Sequence, residues 1–127
     1  MRLVAGPNCC SGRVEIYYND TWWPVRDDGW DLREAQVVCR QLGCGRALSA
    51  PGHSRFGPGD RNLRLSGVGC AGTESELSRC SHALNGYGSW FQMQDAGVIC
   101  EGKYGWADRS KLCFVGFPKH WEHVDQF

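Results

Sequence analysis

The sequence predicts one small domain of short strands and one main helix, cross-linked by disulfides. Three observations carry that prediction. The chain has 127 residues and holds eight cysteines. A hairpin pattern occupies residues 12–25, and a capped helix pattern follows at residues 31–44. Length alone argues for a single domain, and a core of this size benefits from cross-links.

The cysteines are Cys9, Cys10, Cys39, Cys44, Cys70, Cys80, Cys100 and Cys113. A zinc site needs two thiolates offered by one short turn, as in C-x2-C. The close pairs here are adjacent, five apart and ten apart, and none has that spacing. A disulfide framework is the better reading, and it implies an oxidising, extracellular setting. Asn19-Asp20-Thr21 is an N-glycosylation sequon, which is used only on the secretory route. The start, "MRLVAGPN", lacks the apolar stretch of a secretion signal, so the extracellular reading takes Met1 as the start of a piece of a longer chain. No apolar run approaches the ~20 residues of a membrane span. Net charge is zero, so no global field draws the chain to nucleic acid or a membrane surface.

In "GRVEIYYNDTWWPV", Val14, Ile16 and Tyr18 alternate with Glu15 and Tyr17, the period-two pattern of a strand. Asn19-Asp20 supplies the turn, and Trp22 to Val25 returns. In "DLREAQVVCRQLGC", Asp31 is the N-cap and Glu34 stands three residues on, a capping-box pattern. Leu32, Ala35, Val38, Cys39 and Leu42 fall on one helix face, while Arg33, Gln36 and Arg40 fall on another. Gly43 ends the helix. Residues 45–69 read as irregular loop with one short strand near Leu63 to Leu65. "TESELSRC" reads as a short second helix capped by Thr73 with Glu76 at N3. "DAGVIC" closes with a strand at Gly97 to Cys100. After Glu101 the composition changes, and residues 102–127 form an extension of unassigned structure.

The motifs "GRVEIYYNDTW", "DDGWDLREAQVVCRQLGCGRAL", "GVGCAGTESELSRCSH" and "DAGVIC" occur in the order and spacing of the scavenger receptor cysteine-rich (SRCR) domain. Residues 2–101 resemble that family. The resemblance implies a compact α+β domain, with a curved antiparallel β-sheet cradling one main α-helix. It also implies the pairs Cys10–Cys44, Cys39–Cys100 and Cys70–Cys80 of the eight-cysteine group. That group has a further disulfide whose two positions here are Arg26 and a site near Trp90, so the bridge is lost at both ends. Two readings of this pair stand: Arg26 stacks on the Trp90 indole, or both side chains face solvent. Cys9 and Cys113 lie outside the family frame. An intramolecular Cys9–Cys113 bridge closes the count, and an intermolecular bond is its competitor.

In several members of the family the aspartates of "DDGW" bind calcium with a glutamate from the segment before "DAG". Here Asp27 and Asp28 are present, but Gln94 stands where that glutamate is expected. The implied site is therefore weakened by one charge, since hard cations favour carboxylate oxygens. Ser66 and Gly67 stand where a second cation site would have aspartates. The competing reading of Asp27 and Asp28 is a solvated turn that leads into the helix.

Residues 33–64 hold six arginines, Arg33, Arg40, Arg46, Arg55, Arg61 and Arg64, against Glu34 and Asp60. Guanidinium groups bind sulfate and phosphate in bidentate fashion, so these six are the candidate contacts for polyanions. An ordinary charged face is the alternative. "VEIYYNDTW" resembles a family segment linked with bacterial binding, though half of it alternates as strand core. His120 and His123 have the spacing of two ligands on a helical turn, with no third ligand evident. No G-x-S-x-G elbow or H-E-x-x-H motif is present, and cysteines held in disulfides are not nucleophiles. The sequence thus reads as a non-enzymatic extracellular module for polyanionic or microbial surface ligands. The alternatives are a protein-interaction domain of an immune-cell receptor, with contacts around Trp23 and Trp90, or an accessory domain of a larger secreted protein.

Overall fold

The computed structural model describes residues 1–59, 64–85 and 94–102. Strand β1 (Arg2–Val4) pairs antiparallel with the long strand β2 (Ser11–Tyr18). On the other edge of β2 lie two partners. Strand β3 (Thr21–Pro24) pairs with its second half, and strand β7 (Gly97–Cys100) pairs with Ser11, Gly12 and Arg13. Strand β4 (Ala47–Ser49) adds to β7. A second, two-stranded sheet joins β5 (Arg64–Gly69) and β6 (Ser81–Asn85). Val25 bridges the two sheets through Leu65.

The hairpin follows from its sequence. Asn19 and Asp20 have φ of +55° and +64°, the two consecutive left-handed residues that a two-residue type I′ turn requires. The turn sets Ile16 opposite Trp23 and Tyr17 opposite Trp22. Val14 and Ile16 are fully buried, and Trp23 nearly so.

Helix α1 (Leu32–Gln41) starts at the predicted capping box. The Asp31 carboxylate accepts from the Arg33 N–H at 2.8 Å, and Glu34 Oε1 accepts from the Asp31 N–H at 2.8 Å. Glu34 does more than cap. It is buried, and its second oxygen accepts from the Cys70 N–H at 2.8 Å, tying the helix to the segment after β5. The buried face holds Glu34, Ala35, Val37, Val38 and Cys39. Val37 is buried and Leu32 is half exposed, against the predicted stripe. The helix packs on β4 and β7 on one side and on a 3-10 turn on the other, so its covered arc is wider than one stripe and leaves its first residue outside.

Disulfides join Cys10 to Cys44, Cys39 to Cys100 and Cys70 to Cys80. These are the pairs the family resemblance implies. The first two close separations of 34 and 61 residues, each worth on the order of 4 kcal/mol in the chain-entropy account. Cys9 is also disulfide-bonded; its expected partner, Cys113, lies outside the described residues.

Two local expectations need correction. "TESELSRC" forms a 3-10 turn, Leu77–Arg79, with Glu76 at its N-cap and no side-chain cap. Glu74 takes the capping role further upstream, accepting from the N–H groups of Ala71 and Gly72 at 2.9 Å each. Residues 45–69 also contain the three-residue strand β4, whose pairing with β7 shifts register between Ala47 and Ser49. Leu63, where a strand was expected to begin, lies outside the described residues, as do the 102–127 extension after Gly102 and its His120 and His123.

Candidate functional site

The chain leaves β3 through Val25 and Arg26, turns at Asp27-Asp28-Gly29-Trp30 and enters the helix at Asp31. Gly29 takes φ +77° and the Trp30 N–H returns to the Asp27 carbonyl at 3.0 Å. The buried Trp30 indole pins the turn by donating to the Gly97 carbonyl at 2.9 Å. The Asp27 N–H donates to the Gln94 carbonyl at 3.0 Å. Sequence-distant Asp27, Asp28 and Gln94 are therefore brought into one neighbourhood.

The carboxylates themselves point to different partners. Asp27 Oδ2 accepts from the His53 N–H at 2.8 Å. A Cβ on Gly52 would lie 2.7 Å from that same oxygen, so glycine is what lets the 52–53 backbone close on it. Asp28 Oδ2 accepts from the Gly67 N–H at 3.1 Å, and Asp28 Oδ1 lies 3.9 Å from Arg26 Nε. Each aspartate thus has one oxygen taken by a backbone donor. A resident guanidinium stands at the edge of the pair, and the third side chain, Gln94, is neutral. Calcium asks for six to eight oxygens around one point. This donor set does not fit it: the two carboxylates turn to different backbone donors, and a guanidinium stands 3.9 Å from one of them. The expected Arg26–Trp90 stack lies outside the described residues, since Trp90 does. Arg26 itself is part-buried and directed towards Asp28.

A polar centre that the sequence reading did not single out lies next to this turn. Asp95, of the "DAG" motif, is buried at 2% exposure. Its Oδ1 lies 2.8 Å from Nε of Arg64, itself buried at 6%. Its Oδ2 accepts from the Gly59 N–H at 2.6 Å. Its backbone exchanges two hydrogen bonds with Ser54, donating to the hydroxyl at 2.9 Å and accepting from the Ser54 N–H at 3.0 Å. One residue thereby holds both ends of the 54–59 loop, which directly follows the 52–53 backbone facing Asp27. No local pattern in "DAGVIC" marks Asp95 as buried, because carboxylates are mostly exposed.

The six arginines do not form one patch. Arg64 is buried in the ion pair with Asp95, so it is removed from the predicted contact set. Arg61 lies outside the described residues. Arg55 is exposed on the loop that Asp95 holds. Arg46 is 77% exposed and rests on Glu101 at 3.2 Å. Arg33 and Arg40 do come together, on either side of Gly72. Arg33 Cβ lies 3.7 Å from where a Gly72 Cβ would be, and Arg40 Nη2 donates to the carbonyls of Gly72 and Glu74. Arg33 is paired with Asp31 at 2.7 Å, and this hydrogen-bonded guanidinium holds the Asp31 carboxyl well below the usual carboxylate range. Arg40 is anchored on neutral carbonyls instead, is exposed, and pairs with no carboxylate among the described residues.

Trp23 is buried with its indole donating to the Tyr18 carbonyl at 3.0 Å. It is core, and the predicted protein contact around it is withdrawn. In "VEIYYNDTW" the residues Val14, Glu15 and Ile16 are likewise buried. Glu15 accepts from both Arg2 and Arg13, at 2.6 and 3.0 Å, and Arg2 stacks 4.1 Å above the Trp22 ring. Cys70, Glu74 and Cys80 cluster closely enough to suggest a metal site, but the two sulfurs are bonded to each other and are not thiolates.

The family model of the scavenger receptor cysteine-rich domain matches residues 4–101. The chain is 43% identical over 104 residues to a Homo sapiens protein described as CD5 antigen-like, covering 80% of this chain and 30% of that protein. It is 39% identical over 103 residues to a scavenger receptor cysteine-rich domain superfamily protein of Patiria pectinifera, covering 81% of this chain and 9% of that protein. The chain therefore spans less than a third of the length of these relatives. Among solved structures, the third SRCR domain of murine neurotrypsin is similar with TM-score 0.64 and 38% identity, covering 79% of this chain and 94% of that one. The SRCR domain of mouse MARCO, in a dimeric form, is similar with TM-score 0.62 and 39% identity, covering 79% and 93%. No helix among the described residues is long and apolar enough to cross a membrane. The chain belongs to the scavenger receptor cysteine-rich domain family, with the disulfide-linked α+β fold of that domain.

Proposed function

We propose that the domain acts outside the cell and binds polyanionic ligands, including those of microbial surfaces, through exposed guanidinium groups centred on Arg40. The observation that carries this reading is the anchoring of Arg40. Its guanidinium is fixed by two carbonyl oxygens rather than by a carboxylate, which orients it without neutralising it. Arg33 stands beside it across Gly72. Exposed Arg55 adds positive charge elsewhere on the surface, while Arg46 is paired with Glu101. A sulfate or phosphate group makes bidentate contact with such a group, and the contact is screened by salt.

The test is elution of the oxidised domain from immobilised heparin and dextran sulfate, together with binding to whole bacteria. Retention that falls with rising salt is expected, and Arg40→Ala should elute at lower salt than Arg55→Ala. Equal elution of Arg40→Ala and the parent would refute the assignment. Retention insensitive to salt would favour the protein-interaction reading, for which half-exposed Leu48 on the outer strand β4 is the supporting observation.

A further inference from the structure

The tip of the β2–β3 hairpin brings a modification signal and an exposed, braced aromatic ring together. Tyr18 and Thr21 are direct cross-strand partners on either side of the Asn19-Asp20 turn, so their side chains share a face. Asn19 and Asp20 are exposed, and Tyr18 is 38% exposed, which makes it one of three exposed large hydrophobic residues among the described ones. The Tyr18 ring is nevertheless held. It meets the Trp23 ring edge-on with centroids 6.1 Å apart, and the Trp23 indole donates to the Tyr18 carbonyl at 3.0 Å. A core residue thus braces one side of the ring and leaves the rest to solvent. An exposed tyrosine alone needs no explanation. A held ring, next to an asparagine in a left-handed turn whose sequon threonine lies on the same face, is a preformed platform for a sugar. A pyranose presents a face of C–H bonds, and these suit the electron-rich face of an aromatic ring.

We infer that Asn19 carries an N-linked glycan whose first N-acetylglucosamine packs on Tyr18 beside Thr21 and stabilises the hairpin. The linkage forms between Asn19 Nδ2 and the anomeric carbon of a polyprenyl-diphosphate-linked oligosaccharide. The carbon–oxygen bond to the diphosphate breaks, the amide gives up one proton, and the lipid diphosphate leaves. The inference rests on the extracellular placement and is independent of any polyanion contact. Tyr18 is then neither core nor ligand surface. It is the seat of a covalent sugar at a turn whose two residues both occupy the left-handed region, where Asn and Asp are tolerated but glycine is favoured.

The experiment uses the chain secreted from a eukaryotic host, with the glycan trimmed enzymatically to one N-acetylglucosamine, and the same chain refolded oxidatively from bacteria without sugar. Intact mass reports occupancy, and urea unfolding reports stability. The sugar should raise the folded-to-unfolded ratio roughly two- to twelve-fold, the range of aromatic contacts. It should do so in the parent and in Tyr18→Phe, and not in Tyr18→Ser. An empty sequon on secreted, fully oxidised protein overturns the inference and leaves the polyanion reading standing. Equal stabilisation in Tyr18→Ser overturns the packing. Proton NMR of the glycosylated parent needs no variant: ring-current shifts of the sugar protons support the contact, and their absence refutes it.

Discussion

Replacing Asp95 by asparagine tests whether the buried ion pair organises the loop beside Asp27. The change keeps the shape of the side chain and removes its charge. Arg64, at 6% exposure, is then left without the counter-charge that sits 2.8 Å from its Nε. Breaking one side of a buried pair typically costs ~3–5 kcal/mol. The asparagine also has a single acceptor oxygen where the carboxylate faced two donors, the Gly59 N–H and the guanidinium. A domain of this kind has a total stability of ~5–15 kcal/mol, so the loss is a large share of it. With a urea m-value of ~1–3 kcal/mol/M, the unfolding midpoint should fall by roughly 2 M.

A double-mutant cycle separates the pair from its surroundings. Arg64→Met removes the cation and keeps much of the volume. If the charges depend on each other, Asp95→Asn combined with Arg64→Met should cost less than the two single losses added, by at least ~1.5 kcal/mol. Hydrogen exchange supplies the local readout. The Gly59 end of the 54–59 loop should lose protection in Asp95→Asn, because the Asp95 carboxylate accepts the Gly59 N–H, whereas the bonds to Ser54 run through the Asp95 backbone. Additivity within ~0.5 kcal/mol, the behaviour of independent sites, would show that the two charges do not depend on each other. Unchanged exchange at the Gly59 end of the loop would refute the reasoning.

Asp31→Ala should destabilise the domain by about 1 kcal/mol through loss of the N-cap, read by urea unfolding at pH 7. The Asp31 carboxyl titrates below its ordinary value in the folded chain because Arg33 and the helix N–H hold its charged form, so its stabilisation is intact above the ordinary carboxylate range and fades as pH falls through and below it; a parent–variant difference that grew on acidification would contradict this. Calcium at ~2 mM should leave the thermal midpoint of the parent unchanged relative to chelator, while Arg26→Gln should gain about 0.6 kcal/mol if the freed pair binds with a Kd near ~1 mM. A calcium-induced rise in the parent would show that the donor set does fit the cation.

The parts of the fold legible in the sequence are those set by residues close together in the chain. The type I′ turn, the Asp31–Glu34 capping box and the Gly43 helix end are all local, and the structure has them. The disulfide pairs came from motif resemblance, because spacing alone leaves many pairings open. What escaped depends on long-range placement. Arginine is mostly exposed, so Arg64 was counted with the surface; only its pairing with a residue 31 positions away makes it core. Strand β4 is three residues long with a register shift, too short and irregular to show a period. Glu34 was half legible. Its capping bond is local, but its bond to Cys70 spans 36 residues.

The same distinction explains why the acidic pair reads so differently in sequence and in structure. Two adjacent aspartates suggest convergent ligands, but neighbouring side chains need not share a direction. Asp27 faces the 52–53 backbone, while Asp28 faces Gly67 and Arg26. Asp27 thereby anchors the irregular 52–53 backbone, and Asp28 anchors Gly67 of β5. The Asp95 carboxylate performs the same task at Gly59. Three carboxylates thus hold the segments around one helix entrance. Anchoring by a carboxylate is broken by a single substitution, and at Asp95 the break is costly because its pair with Arg64 is buried. Substitution at Asp27, Asp28 or Asp95 should therefore lower stability without changing the fold.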